Sequence, residues 1–278
     1  PFIFDMRAIW PEELITAGRI TRGSLTHHAI LKIEKSCLIN SDWVVSLTKA
    51  AVGYLKFKYH KKLVNQNFTV IPTCVDLERF SPYFGKRSNS LIHGCIGTIL
   101  SGWFRLDWLA SWIRVAALHD PNSNFKIITR DDAKRIRQEI DPYNQIKNRL
   151  FIEPMLYKEI PNALRMHSFS VMFFTDGLSK IGSAPTRLAE ALGCGIPVVV
   201  NEGVGDLVDI VKKYNIGVVV KGKGEKHMKK AFQELKNLLL DPELSDRCYN
   251  TASDIFSLTL GTNAYNEIYS KILKKKEF

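Results

Sequence analysis

The sequence lacks any apolar run near the ~18 residues that a membrane span requires; its uninterrupted apolar pieces are short, such as Val198–Val200 and Val218–Val220. No cleavable leader is visible in the sequence, which opens on Pro1-Phe2-Ile3-Phe4-Asp5. A start without Met, inside what reads as a strand, sets the expectation that the natural N-terminus lies upstream. Cysteine is sparse and scattered: Cys37, Cys74, Cys95, Cys194 and Cys248 form no CxxC pair. An odd, dispersed set argues against a zinc site and for a reducing compartment, with the thiols acting as small core residues. No repeat of short period and no GxGxxG pattern occur. Negative charge is in deficit, with 28 Asp and Glu against 39 Lys and Arg and a net charge of +11. That balance favours anionic partners. The basic residues gather at Lys212-Lys213, from Lys221 to Lys230, and at Lys274-Lys275-Lys276. Such runs serve as solvated helix faces, or they draw the chain to an anionic membrane at on the order of 1 kcal/mol per residue. Nucleic acid is not expected, because no aromatic residue interleaves with the basic ones in these runs.

What is present is globular: 45% of the residues are hydrophobic and 24% charged, and 278 residues suffice for two domains. Strands and helices alternate in two blocks. In the first, Phe2–Asp5, Trp43–Leu47 and Phe68–Ile71 read as strands. Ser24–Asn40 reads as a helix with Ala29, Ile30, Ile33 and Cys37 on its apolar stripe, and Thr48 can cap the next helix. Three strands are few for a doubly wound sheet, so this unit is expected to be incomplete. Ser81–Ser90 is polar, carries Pro82 and Gly85, and reads as a linker. The second block has six expected strands: Leu91–Gly97, Phe125–Thr129, Leu150–Ile152, Ser170–Phe174, Ile196–Val200 and Gly217–Val220. Helices fall between them, for example along Leu106, Leu109, Ile113 and Ala116, which makes a complete Rossmann-like unit. The tail from about Leu258 to Lys276 puts Tyr265, Ile268, Tyr269 and Ile272 on one face and needs a surface to pack on.

Four segments carry chemistry. From Gly182 to Val200 a polar loop leads into a helix expected to open at Ser183 or Ala184, with Pro185 in its first turn and Gly193 and Gly195 at its end. Such a helix start, at the carboxyl edge of a parallel sheet, favours a phosphate. Lys180 and Arg187 are in reach to add charge-assisted contacts. Glu190, one turn beyond Arg187, can accept hydrogen bonds from a ribose diol; the plain alternative is an Arg–Glu surface pair. Gly97-Thr98-Ile99-Leu100-Ser101-Gly102-Trp103 follows the first strand of the second block, and its glycine would let a ligand approach the backbone. Val70–Pro82 leads into the linker. At the end of the first strand, Asp5, Arg7, Glu12 and Glu13 crowd the sheet edge, where they either bind an acceptor hydroxyl or cap helices.

Together these segments resemble family 4 retaining glycosyltransferases, which have the GT-B fold: two Rossmann-like, doubly wound domains facing a cleft. Val70–Pro82 is similar to the family's "IPNGVDLERFxP", Gly94–Trp103 to the glycine-loop opening of the donor domain, and Pro185–Val200 to "PTKLxEyLAcGxPVV". Phe4–Glu12 looks like "FDMRGxWPDE". The resemblance implies an acceptor domain at 1–86, incomplete here, a donor domain at 87–256, and a final helix at 257–278 crossing back to the first domain. It implies a hexosyltransferase-like enzyme that moves a sugar, with retention, from a nucleoside-diphosphate sugar to a glycan or lipid-linked acceptor. It implies no cofactor and no metal, and the sequence offers no DxD-like pair near either loop.

The catalytic candidates are Lys180, Arg187 and Glu190, with Arg105 a further cation for the diphosphate. Gly97, Thr98, Arg130, Glu153 and Met155 are donor-binding candidates, as are Ser183, Pro185 and Thr186 together with Glu190. Asp5, Arg7 and Glu12 are candidates on the acceptor side. Where the family's E-x7-E motif has its first Glu, this chain has Gly182. A cytoplasmic enzyme, peripheral at the inner membrane surface, is the expected setting. The competing readings are a sugar-nucleotide epimerase of the same architecture and a non-catalytic homologue that only binds the nucleotide sugar.

Overall fold

The computed structural model describes residues 1–83, 85 and 90–274. The first domain begins with β1 (Ile3–Met6), α1 (Trp10–Thr16), α2 (Leu25–Asn40), β2 (Trp43–Ser46), α3 (Lys49–Lys58) and β3 (Phe68–Val70). Its three strands are parallel in the order β1-β2-β3, with Phe4 opposite Val44 and Val45 opposite Thr69. The second domain runs through β4 (Ile92–Ile96), α4 (Leu106–His119), β5 (Asn124–Ile128), α5 (Ala133–Ile140), β6 (Leu150–Glu153) and α6 (Ile160–Met166). It continues with β7 (Phe169–Met172), α7 (Thr186–Gly193), β8 (Val198–Asn201), α8 (Leu207–Tyr214) and β9 (Gly217–Val220). Helices α9 (Glu225–Leu238), α10 (Leu244–Phe256) and α11 (Leu258–Lys274) close the chain. The second sheet is parallel and six-stranded, in the order β6-β5-β4-β7-β8-β9. The winding reverses between β4 and β7, so the loops that leave those two strands part around one crevice, the place where such sheets bind ligands.

The larger core lies in the second domain. Trp112, Phe125, Phe169, Phe173 and Phe232 are fully buried there, each worth roughly 1.5–3 kcal/mol on the burial scale for large side chains. A buried polar relay runs through it. The Trp112 indole donates to His93 Nδ1 at 3.0 Å, His93 Nε2 meets Ser123 Oγ at 3.0 Å, and Ser123 donates to Asp120 at 2.8 Å. The first domain has smaller clusters, and α11 completes one of them by laying Ile268 and Ile272 against Val45 and Ile71.

Capping explains where helices begin. Ser24 accepts from the His27 amide at the start of α2, and Thr48 accepts from the Ala51 amide at the start of α3. The buried face of α2 differs from its apolar stripe: His27, Ile30, Glu34 and Leu38 point inward, while Ala29 and Ile33 are exposed. Each of this polar pair is partnered through one atom, while His27 Nε2 and Glu34 Oε2 stay buried without a partner. His27 Nδ1 accepts from the Gly23 amide, and Glu34 takes Lys58 and the Tyr59 hydroxyl. Helix α7 starts at Thr186 rather than at Ser183 or Ala184, with an extended Pro185 before it (φ −65°, ψ 123°). The two earlier residues are held otherwise, Ser183 by the Lys180 carbonyl and Ala184 by Thr73. Half of the expected linker, residues 84 and 86–89, lies outside the described residues, as do Lys275 and Lys276 of the tail. Among the described residues, no helix is long and apolar enough to cross a membrane, and no group of three or more His, Cys, Asp or Glu could hold a metal ion.

Polar contacts join the two domains. Thr48 donates to the Ile181 carbonyl at 2.5 Å and Thr73 to the Ala184 carbonyl at 2.7 Å. Asp206 of the second domain caps α3 of the first, taking the Lys49 and Ala50 amides at 2.6 and 2.9 Å.

Candidate active site

The crevice between β4 and β7 is built around Gly97. Its φ of +111° is a conformation that favours glycine, and a Cβ there would lie 2.4 Å from Arg187 Nη2. The turn is fixed from beyond β5, where the Asp131 carboxylate accepts from the Ile99 and Leu100 amides at 2.5 and 2.7 Å. Burial works to raise the Asp131 pKa, but the Leu100 and Ile99 amides and nearby Arg187 hold it below its usual value.

Arg187 folds back from α7 onto this turn. Its guanidinium lies beside the paired rings of Phe104 and Phe174, 5.6 and 5.3 Å from their centroids. Nη1 is buried and has no hydrogen-bond partner. Burial lowers the pKa of this cation, while Cys95, Glu190 and Asp131 oppose the shift. Glu190, three residues on, lines a hollow of about 250 Å³ together with Gly97, Thr98, Arg130, Asp131, Met155 and Tyr157. Among the described residues its carboxylate has no hydrogen bond or ion pair. Burial raises its pKa, and Arg187 and Arg79 pull it part of the way back.

Gly97, Thr98, Arg130, Met155 and Glu190 therefore meet around one hollow, with Arg187 behind its glycine turn. The other expected residues stand elsewhere. Ser183 and Pro185 line a second hollow of about 500 Å³ between the domains, with Thr48, Pro72, Asp206 and Phe256. Ser183 and Pro185, expected with Glu190 among the donor-binding residues, therefore stand apart from it. Thr186 is exposed and lines neither hollow. Lys180, only 7% exposed, turns to the first domain, with its ammonium 3.5 Å from Glu13 and 3.6 Å from the Trp103 ring centroid. Burial lowers its pKa against the pull of Glu13. Glu153 pairs with Lys126 at 3.3 Å, and Arg105 with Asp107 at 2.9 Å.

On the first domain, Asp5 stands 3.8 Å from Arg7 and accepts from the Tyr265 hydroxyl of α11 at 3.0 Å. Glu12 is buried under a two-pronged contact with Arg22 at 3.2 and 2.5 Å, which leaves it unable to meet an acceptor. Gly182 has first-domain backbone on top of it. A Cβ there would lie 3.1 Å from the Ile9 nitrogen and 3.3 Å from the Ala8 carbonyl carbon, so any side chain at this position needs that backbone to give by a few tenths of an ångström.

Three residues at the hollow escaped the motif reading. Asp131 and Tyr157 sit just past the ends of β5 and β6, and loops leaving strand ends at a switch point were the available signal. Arg79 belongs to the Val70–Pro82 segment, but nothing local shows that it reaches Tyr157, whose carbonyl it meets at 2.5 Å and whose ring centroid at 3.8 Å.

The fold, two parallel α/β domains around a crevice, is that of GT-B glycosyltransferases. Residues 111–254, more than half of the chain, match the family described as glycosyl transferases group 1, and the chain belongs to that family. A glycosyltransferase from Rickettsia africae ESF-5 superposes with a TM-score of 0.72 at 15% identity, covering 98% of this chain and 70% of that one. Sucrose-phosphate synthase from Thermosynechococcus elongatus gives 0.66 at 17% identity, over 98% of this chain and 68% of that one. Anabaena HepE, in complex with UDP and glucose, gives 0.68 at 14% identity, over 97% and 71%. A search of curated proteins finds no match by sequence.

Proposed function

We propose that this glycosyltransferase takes a nucleoside-diphosphate sugar as donor, seats its nucleoside in the hollow beside Glu190, and transfers the sugar with retention to a glycan or lipid-linked acceptor. The observation that carries the reading is the unpaired Glu190 carboxylate on a hollow that also presents the Gly97 turn and, behind it, a buried cation. About 250 Å³ falls just below the usual range for small-molecule pockets, which suits a nucleoside rather than a whole donor. Glu190 accepts from the ribose hydroxyls. Arg130, Met155 and Tyr157 frame the base.

The diphosphate lies along Gly97 and Thr98, and Arg187 meets its charge. Charge that builds on the leaving diphosphate is stabilised there and, once Glu13 releases it, by Lys180. These cations make transfer independent of a divalent ion, so activity should survive excess chelator. Residues 1–86 present the acceptor through Asp5 and Arg7, 87–256 hold the donor, and 257–278 strap the two together.

The test is calorimetric titration with UDP, GDP and ADP, and with their sugars, of the unaltered chain and of Glu190→Gln and Arg187→Lys. One nucleotide should bind, and both variants should weaken it; equal affinity in all three proteins would overturn the assignment. The covered Gly182 favours one alternative, a homologue that binds donor without transferring it. Binding without transfer to any glycan or lipid acceptor would establish that alternative.

A further inference from the structure

Between Asp42 and Asp76 the sequence contains no acidic residue and no arginine, yet it carries Lys49, Lys56, Lys58, Lys61 and Lys62. The fold sends most of this charge to one place. Because β1, β2 and β3 are parallel, their first residues share one edge of the sheet, and α3 runs from the cleft edge to that opposite edge. After α3 comes a single tight turn, His60–Lys62, pinned by the buried Leu63. With Leu63 inside, its neighbours stand out: Phe57 is 84% exposed, Val64 77%, and Lys56, His60, Lys61 and Lys62 are exposed around them.

Two more lysines reach the same edge. Lys271 of α11 lies 5.7 Å from the ring centroid of Trp43, the first residue of β2. Lys35 of α2 stands against Lys62, and the neighbouring ammonium pushes its pKa below the usual lysine value. Two like charges side by side at full exposure repel, and an external anion relieves them. The acids at this edge are already engaged. Glu34 is buried under Lys58, Asp42 takes the Phe2 amide at 2.7 Å, and Glu267 lies 3.7 Å from Lys271.

We propose that the amino edge of the first sheet docks on an anionic bilayer. Phe57 and Val64 enter the headgroup layer, Lys35, Lys56, Lys61, Lys62 and Lys271 lie among the headgroups, and the cleft faces away. Lysine suits mobile headgroups, being a compact charge on a flexible stem, whereas an all-lysine knob without arginine or a stacking groove fits nucleic acid poorly. Each lysine near an anionic surface is worth roughly a fivefold gain in partitioning. The docking edge is about 15 Å from the cleft edge, the length of α3 at ~1.5 Å per residue.

The test is flotation of the whole chain with phosphatidylcholine vesicles, with and without about a third phosphatidylserine. The chain should bind only the anionic vesicles and release by tenfold or more between low and high salt. Lys56→Glu/Lys61→Glu/Lys62→Glu should abolish binding. Phe57→Ser should weaken it severalfold while leaving the melting curve unchanged. The equal charge change Lys226→Glu/Lys229→Glu/Lys230→Glu on α9 should leave binding intact. Failure to bind anionic vesicles, equal binding to neutral ones, or equal loss in the α9 variant would overturn the proposal, as would preference for single-stranded RNA over vesicles. None of these readouts depends on a donor nucleotide, so the assignment of the hollow beside Glu190 stands or falls separately.

Discussion

At the scale of single residues, Glu190 sets function against stability. Burial raises its pKa, so the folded chain holds that proton more tightly than the unfolded chain does. The sign follows from linkage: the destabilisation is absent below the unfolded carboxylate range and complete above the folded pKa. Glu190→Gln should therefore melt at a higher temperature than the unaltered chain at neutral pH, with the gap closing as pH falls through the carboxylate range. The same substitution should weaken nucleoside-diphosphate binding by about 10- to 100-fold, since hydrogen bonds to a charged group contribute roughly 1.5–3 kcal/mol. A variant that melts no higher at neutral pH would show that the carboxylate is not left bare by burial. Gly182 gives a second expectation. Gly182→Ala must push Ala8 and Ile9 away by a few tenths of an ångström, and Gly182→Glu should part the domains. Small-angle scattering should show Gly182→Glu more extended than the parent.

At the scale of elements, the strands were legible because parallel strands buried on both faces read as apolar runs with helices between them. The order β6-β5-β4-β7-β8-β9 then brought Gly97 and α7 together, as the motifs required. The face of α2 was not legible: apolar spacing cannot show that Glu34 has Lys58 and Tyr59 waiting elsewhere in the chain. Nor was the start of α7, which depends on Thr73, more than a hundred residues earlier, taking the Ala184 carbonyl. Two buried histidines make the core of the second domain sensitive to acid. Burial, with Arg149 adding to it, lowers His93 to about 3, and burial, with Lys126 adding to it, lowers His167 to about 3. Both pKa values are depressed from 6.5, so the stability they allow is complete above about pH 6.5 and is lost as pH falls towards 3. The loss should approach about 1.4 kcal/mol per pH unit for each histidine. His167→Leu should remove one of the two contributions to that slope, measured by urea melts from pH 6 to pH 4. The ring of His167 also dictates its neighbour: a Cβ at Gly94 would sit 1.8 Å from His167 Nδ1. Gly94→Ala should destabilise the fold by about 3 kcal/mol or more, as overpacking of a full core does.

At the scale of the whole molecule, α11 is the strap most open to test. Ile268 and Ile272 belong to the second domain's closing helix yet complete the core of the first. Replacing either by Ala should cost about 2–5 kcal/mol, and the loss should appear in the melting of the first domain before the second. Interdomain detail is what the sequence hid most thoroughly. Lys180 reads locally as a phosphate cation, but Glu13 and Trp103 claim it, and their nearness exists only once both sheets are placed. The seam joins apolar packing, with Ile181 against the core of Met6 and Ile9, to bonds that Thr48, Thr73 and Asp206 make to backbone. Solvent molecules can take over such bonds one after another as the halves part, so breathing of the joint wets polar groups that tolerate it.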